Sequence, residues 1–244
     1  MENLRNILWP RVFAEGAAIV VSILLAFWIQ AWWDYRSERF EELEVLSALQ
    51  EELRGNIKSI ESSLAFRKTM VGPITKLLQA SAADREIPSP ELDKLLGSLV
   101  WGDKSDPSTG VFQSLVQGGQ LAQIASTGLR ARIASLSKIY QRLEEAEGHY
   151  AGTARNWLSP YLFKKTNLAQ LTNAQPGPPG AREAAYPPMP VRAARNHQDL
   201  LGDQEFLNIL VNLYWDHYDA IETLTQTKEQ LAALSVEIGK SVSP

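Results

Sequence analysis

The sequence predicts an all-α protein, with one N-terminal transmembrane helix continuing into an elongated antiparallel helical bundle. Three observations carry that expectation. A single apolar run, VFAEGAAIVVSILLAFWIQAWW, extends from Val12 to Trp33. Beyond it, apolar residues recur at spacings of three and four in long stretches. Nowhere does the chain show the apolar–polar alternation of a half-buried strand.

The first element is the anchor, residues 12–33, preceded by a cytoplasmic N-terminus, 1–11. A 22-residue helix is ~33 Å long at 1.5 Å per residue, enough for a hydrocarbon core of ~30 Å. Its strictly apolar centre, Ala17 to Ile29 with Ser22 inside, is shorter than that, so the flanks must complete it. Trp9 lies before the run, and Trp28, Trp32, Trp33 and Tyr35 lie at its far end, where amphipathic rings favour the headgroup layer. Arg11 and Arg36 can extend outward past the core. A cleaved signal peptide would need small residues at −1 and −3. Ala31 has Ile29 before it and Ala26 has Leu24, so the anchor is read as retained. Arg5, Arg11 and the terminal amine precede the helix while Arg36 and Arg39 follow it, a narrow bias that places the N-terminus in the cytoplasm. The expected location is the bacterial inner membrane, single-pass, with the C-terminal body periplasmic. The absence of cysteine suits that compartment.

The body is read as a helical bundle over 34–166, a Pro-rich loop over 167–202, and a C-terminal long helix over 203–240. Leu46, Leu49, Leu53, Ile57, Ile60 and Leu64 continue the anchor as one helix to about Ser63, and on to Ala80 if Pro73 only kinks it. Ser89 followed by Pro90 and Glu91 predicts an N-cap and a short helix to Val100. Further helices are expected from Gly110 to Gln117 and, capped by Thr127, from Gly128 to Ala151 or as far as the break at Pro160. The long one would bury Leu129, Ile133, Leu136, Ile139 or Tyr140, and Leu143. Six of the thirteen prolines lie between 176 and 190, favouring extended backbone. A mobile excursion competes there with a strap whose apolar anchors for a partner would be Tyr186 and Met189. Leu207, Leu210, Tyr214, His217, Ile221, Leu224, Leu231 and Ile238 give the last helix heptad spacing, with Lys228 and Ser235 as gaps.

Chemistry is hard to assemble from these residues. With a net charge of −4, a nucleic-acid partner is not expected, since such binding rests on Lys and Arg meeting phosphates. Phosphate-loop, dinucleotide, zincin and nucleophile-elbow patterns are absent from the sequence. Neither a cofactor nor a metal is expected. In WDHYD, Asp216 and His217 point about 100° apart on a helix, and no second His follows at i+4. His217 falls on the apolar face and reads as a core histidine. His149 and His197 are isolated in sequence. Glu41 to Glu44 with Glu51 and Glu52 read as a solvated face. The protein is therefore read as no enzyme.

One feature of the anchor reads as a contact. Ala14, Ala18, Ser22, Ala26 and Gln30 are four apart and form one small or polar stripe, with Glu15 and Gly16 beside it. Such stripes let helices approach closely, and Ser and Gln can hydrogen-bond across. An ionisable group such as Glu15 inside a span is a functional candidate, although one turn from the boundary it can also reach the interface.

The run FAEGAAIVVSILLAFWIQAWWDYRSER resembles the anchor of an uncharacterised family of bacterial single-pass membrane proteins with a helical extramembrane domain. Glu15, Ser22, Ala26 and Trp33 occupy matching places, as does LSALQEELRGNI, Leu46 to Ile57. VFQSLVQGGQLAQIASTGLRARI resembles that family's second shared stretch through Phe112, Leu115, Gly118, Gly119, Leu121, Ile124 and Leu129. Ser22 stands where the family usually has glycine. The resemblance implies a topology and no reaction.

The expected function is a non-enzymatic accessory or scaffold subunit. It would pack against transmembrane helices of a larger inner-membrane complex, or a second copy of itself, and cover that complex's outer surface. The alternative is a single-pass envelope sensor whose bundle binds a ligand or envelope component.

Overall fold

The computed structural model describes residues 9–102, 105–175, 177 and 187–242, excepting the side chains of 9–12 and 14. Among them the chain is all-helical, with no strand. Helix α1 runs unbroken from Trp9 to Ala82, 74 residues, a rod about 110 Å long. Its first part is long and apolar enough to cross a membrane, and none of that window is buried inside the protein. Pro73 lies within the helix instead of ending it. A mid-helix proline costs about 3 kcal/mol, and here the flanking Met70, Ile74 and Leu77 are fully buried and hold the helix in place.

Shorter helices then pack along α1. They are α2 (Ser89–Ser98), α3 (Gly110–Gln117), α4 (Thr127–Ala134), α5 (Leu136–Thr153), α6 (Ser159–Lys165) and α7 (Leu168–Ala174). The last helix, α8 (Gln204–Val242), spans 39 residues. It runs back antiparallel to α1, so that Gln50 of α1 donates to the carbonyl of Ser235 and Arg39 to that of Ser241. Helix α5 completes the long three-helix core against α8.

Several local expectations are corrected. The cap of α4 is Ser126, whose hydroxyl accepts from the Leu129 amide; Thr127 is the first helical residue. The single helix expected from Gly128 is broken at Ser135, then continues through a π-turn at Ala154–Leu158 into α6. Pro160 is tolerated because it sits in the first turn of α6. The segment 167–202 is not wholly loop. Asn167 caps α7, whose Leu171 is fully buried, and a 3₁₀ turn at Gln198–Gly202 buries Leu200 and Leu201. Ser89 is likewise the first residue of α2, and Pro88 takes the capping position without a side-chain bond. On α8, Phe206, Ile209, Leu213, Ala220 and Leu234 are buried alongside the expected Leu210, His217, Leu224, Leu231 and Ile238. Leu207, Tyr214 and Ile221 are only half-buried, because the face shared between α1 and α5 is wider than one heptad seam.

The buried apolar residues form two clusters. The cluster nearer the span contains Leu46, Leu53, Ile60, Leu136, Leu224 and Leu231 among others. The far one contains Ile74, Leu77, Leu92, Leu171, Phe206 and Leu210. Between them, the buried residues of α1, α5 and α8 are Arg67, Ala146, Glu147, His217 and Ala220.

Candidate functional site

Every described side chain of α1 from Phe13 to Glu38 is exposed except that of Ala14, which lies outside the described residues. Ala18, Ser22, Ala26 and Gln30 are thus exposed, with no other described element packed over them. The Ser22 hydroxyl donates to the Ala18 carbonyl at 2.8 Å, and the Gln30 amide donates to Asp34 at 3.0 Å. Both donors are held within the helix, so the exposed hydroxyl oxygen of Ser22 keeps its acceptor capacity. Trp28, Trp32, Trp33 and Tyr35 are all exposed around the exit. The side chain of Trp9 and all of Tyr186 lie outside the described residues. Met189 is about half exposed, while its backbone amide and carbonyl both pair with the side chain of Asn173.

The bundle closes on α1 just beyond the exit. Glu42 is the first buried residue; it pairs with Arg39 and accepts from the Ala125 amide at 2.9 Å. Ten residues on, Glu52 accepts from the amides of Val111 and Phe112 and satisfies the first turn of α3. These two carboxylates, expected on a solvated face, are structural caps for neighbouring segments. Asn56 does the same for the loop before α3, exchanging two bonds with the backbone of Ser108 and donating to the Tyr140 hydroxyl. Burial outweighs that bond and pushes the Tyr140 hydroxyl up to about 12.

Two constellations could suggest chemistry. The first fills the gap between the apolar clusters. Arg67, fully buried, pairs with buried Glu147, and its guanidinium lies 4.1 Å from the Tyr150 ring centre. His217 completes the layer, its Nδ1 3.5 Å from an Arg67 nitrogen and its ring 4.8 Å from that of Tyr150. The guanidinium can only donate, so Nδ1 is the acceptor. Burial and then the Arg67 charge hold His217 well below its ordinary 6.5, at about 3. A neutral imidazole sealed between helices is a packing element, as its place on the apolar face indicates.

That depression has a sign. The unfolded chain takes up a proton between pH 6.5 and about 3 that the folded chain refuses. Stability is therefore complete above 6.5 and is lost as the pH falls through that window. Urea unfolding of the wild type and of His217→Gln across roughly pH 7 to 4 should show the variant flatter by up to about 1.4 kcal/mol per pH unit. Identical slopes would contradict a buried neutral His217.

The second constellation joins Asp93 of α2 to His197, isolated in sequence but buried in the structure. Nδ1 of His197 lies 2.7 Å from the Asp93 carboxylate. Nε2 accepts from the Asn167 amide at 3.3 Å. An Asp–His pair could serve as an acid–base unit, but here the second nitrogen is spent on backbone. Gln170 donates to Asp93 and accepts from the Arg195 amide. The pair pins 189–197 against α2 and α7.

No family model, curated protein or solved structure matches the chain.

Proposed function

We propose that the protein is a non-enzymatic, membrane-anchored accessory or scaffold subunit. Its span packs against transmembrane helices of a larger inner-membrane complex, with the bundle standing on the outer face beside that complex. The N-terminus is assigned to the cytoplasm and the bundle to the periplasm, from the Lys and Arg bias around the span.

The observation that carries this reading is a small-residue face on an uncovered span. Ala18, Ser22 and Ala26 are exposed, and Ser22 retains acceptor capacity. Lipid tails gain nothing special from such a face, whereas a second helix gains close backbone approach and a hydrogen bond worth about 1 kcal/mol. Continuity of α1 from span to core supports a subunit held in one fixed attitude to the bilayer.

A photoreactive amino acid placed at Ser22 in native membranes tests this. We expect a discrete protein adduct, with the same partner recovered in fixed ratio after mild detergent extraction. Adducts to lipid alone, with a monodisperse single chain after extraction, would remove the proposal. A dimer of the chain as the only adduct would replace the larger complex with self-association.

A further inference from the structure

The bundle is built as two halves threaded by α1, α5 and α8. The far cluster draws on α2, α6, α7 and the 3₁₀ turn through Leu92, Leu162, Leu171 and Leu201. The near cluster draws on α3 and α4 through Phe112, Leu115, Leu129 and Ile133. Among the described residues, no short helix contributes buried apolar side chains to both. Side-chain bonds between segments divide the same way. Glu42, Glu52 and Asn56 secure near segments, while Asp93, His197 and Gln170 secure far ones.

The threading helices change cluster across one polar interval. On α1 it lies between Leu64 and Met70, on α5 between Leu143 and Tyr150, and on α8 between Leu213 and Leu224. These intervals are about 9–16 Å long at 1.5 Å per residue. Ala146 and Ala220 supply their only fully aliphatic buried side chains, beside Arg67, Glu147 and His217. Half-buried neighbours do not bridge the gap, since Phe66 packs on the far cluster and Ile221 on the near one. An apolar core is cooperative because each side chain stays out of water only while its neighbours hold their places. A buried ion pair adds little net stability, and the Arg67–Glu147 pair lies within the layer instead of tying one cluster to the other.

The halves also differ in regularity. Pro73 lies in the far stretch of α1, and the π-turn Ala154–Leu158 interrupts the far end of α5. Both leave backbone that relies on packing for its hold. In the near half, α1 from Leu46 to Leu64 and α8 from Leu224 to Ile238 are regular helix.

We propose that the polar layer is a parting plane, at which the far half opens as one cooperative unit while the near half stays folded. Sub-global opening follows supersecondary units of this kind. The open state bares Phe206, Ile209 and Leu210 and leaves α1 helical up to Leu64. It needs no partner on the span.

Amide hydrogen exchange of the detergent-solubilised full chain in low urea, read by mass spectrometry, tests this device. Amides of 90–98, 168–174 and 204–213 should share one opening free energy, below that of 46–64 and 224–238. Leu231→Ala removes a fully buried near residue. It should accelerate the near group roughly thirtyfold or more and leave the far group within about twofold. A single free energy for both groups, a near group that opens below the far one, or a far group that accelerates with Leu231→Ala would overturn the proposal. The triple variant Arg67→Met/Glu147→Leu/His217→Leu fills the layer with apolar side chains and should fuse the halves. On that background Leu231→Ala should accelerate both groups together, and a far group still indifferent to it would show that the polar layer is not what parts them.

Discussion

Arg67→Met is expected to cost the folded protein about 3–5 kcal/mol, because it strands the Glu147 carboxylate in a sealed layer. Both side chains are essentially inaccessible, at 0% and 1% exposure, so water cannot take over solvation of the remaining charge. The pair itself need not be a net stabiliser. Desolvating two ions offsets most of their attraction, and well-packed apolar residues of similar volume often do as well or better. The double variant Arg67→Met/Glu147→Leu should accordingly recover most of the loss. Chemical unfolding of the detergent-solubilised full chain, run as a double-mutant cycle, reads both numbers. A single variant as stable as the wild type would show that the layer is open to water.

Phe206→Ala should be comparable, at about 3–5 kcal/mol, through a different cause. Phe206 is fully buried at the start of α8 and stacks on Tyr161 with ring centres 5.4 Å apart and planes 12° from parallel. Truncation removes the ring from the far cluster and leaves a cavity beside Tyr161. Trp215→Ala on the same helix is the control. Trp215 is 64% exposed, and its loss should stay within about 0.5 kcal/mol. Thermal unfolding midpoints of the two variants, compared with the wild type, suffice; equal losses would mean that the far cluster is not a packed core.

Much of this architecture is legible in the chain. The period of three and four from Leu46 to Leu64, with no breaker between Asp34 and Arg54, announces a helix that leaves the span without a joint. The antiparallel return of α8 follows from its own heptads. What stays hidden has physical reasons. Ser126 and Thr127 are adjacent cap-forming residues, and only backbone geometry decides which accepts the amide. Leu168 to Ala174 is one short helix whose stability comes from burying Leu171, which local pattern does not reveal. Asp93 and His197 are 104 residues apart, so their pairing exists only in three dimensions.

The polar layer lies between these cases. Arg67 and Glu147 look like ordinary helix-surface charges, yet each occupies an apolar phase. Arg67 follows Ile60 and Leu64 and precedes Ile74; Glu147 follows Leu143 and precedes Tyr150. The spacing alone places His217 on the apolar face. Three polar residues in core phase on three different helices constitute the available signal, and it can be used only once the helices are known to be neighbours. Its value is register, since an arginine, a glutamate and a histidine that must meet at one level forbid α1, α5 and α8 from sliding by a turn.

The unbroken α1 also ties compass directions together. At 100° per residue, the side of α1 that bears Ala18, Ser22 and Ala26 points roughly opposite to the side that bears Glu42, Leu46, Leu49 and Leu53. A helix lodged on the former rises along the open back of α1, clear of α5 and α8, on the same side as Trp32, Arg36 and Phe40, each 18 residues or five full turns past Ala14, Ala18 and Ser22. With α1 across a bilayer, the protein would have a front and a rear within the membrane plane. One residue inserted between Asp34 and Glu38 would swing the two by about 100°, as a dial turns on its spindle, and leave each surface intact but wrongly aimed.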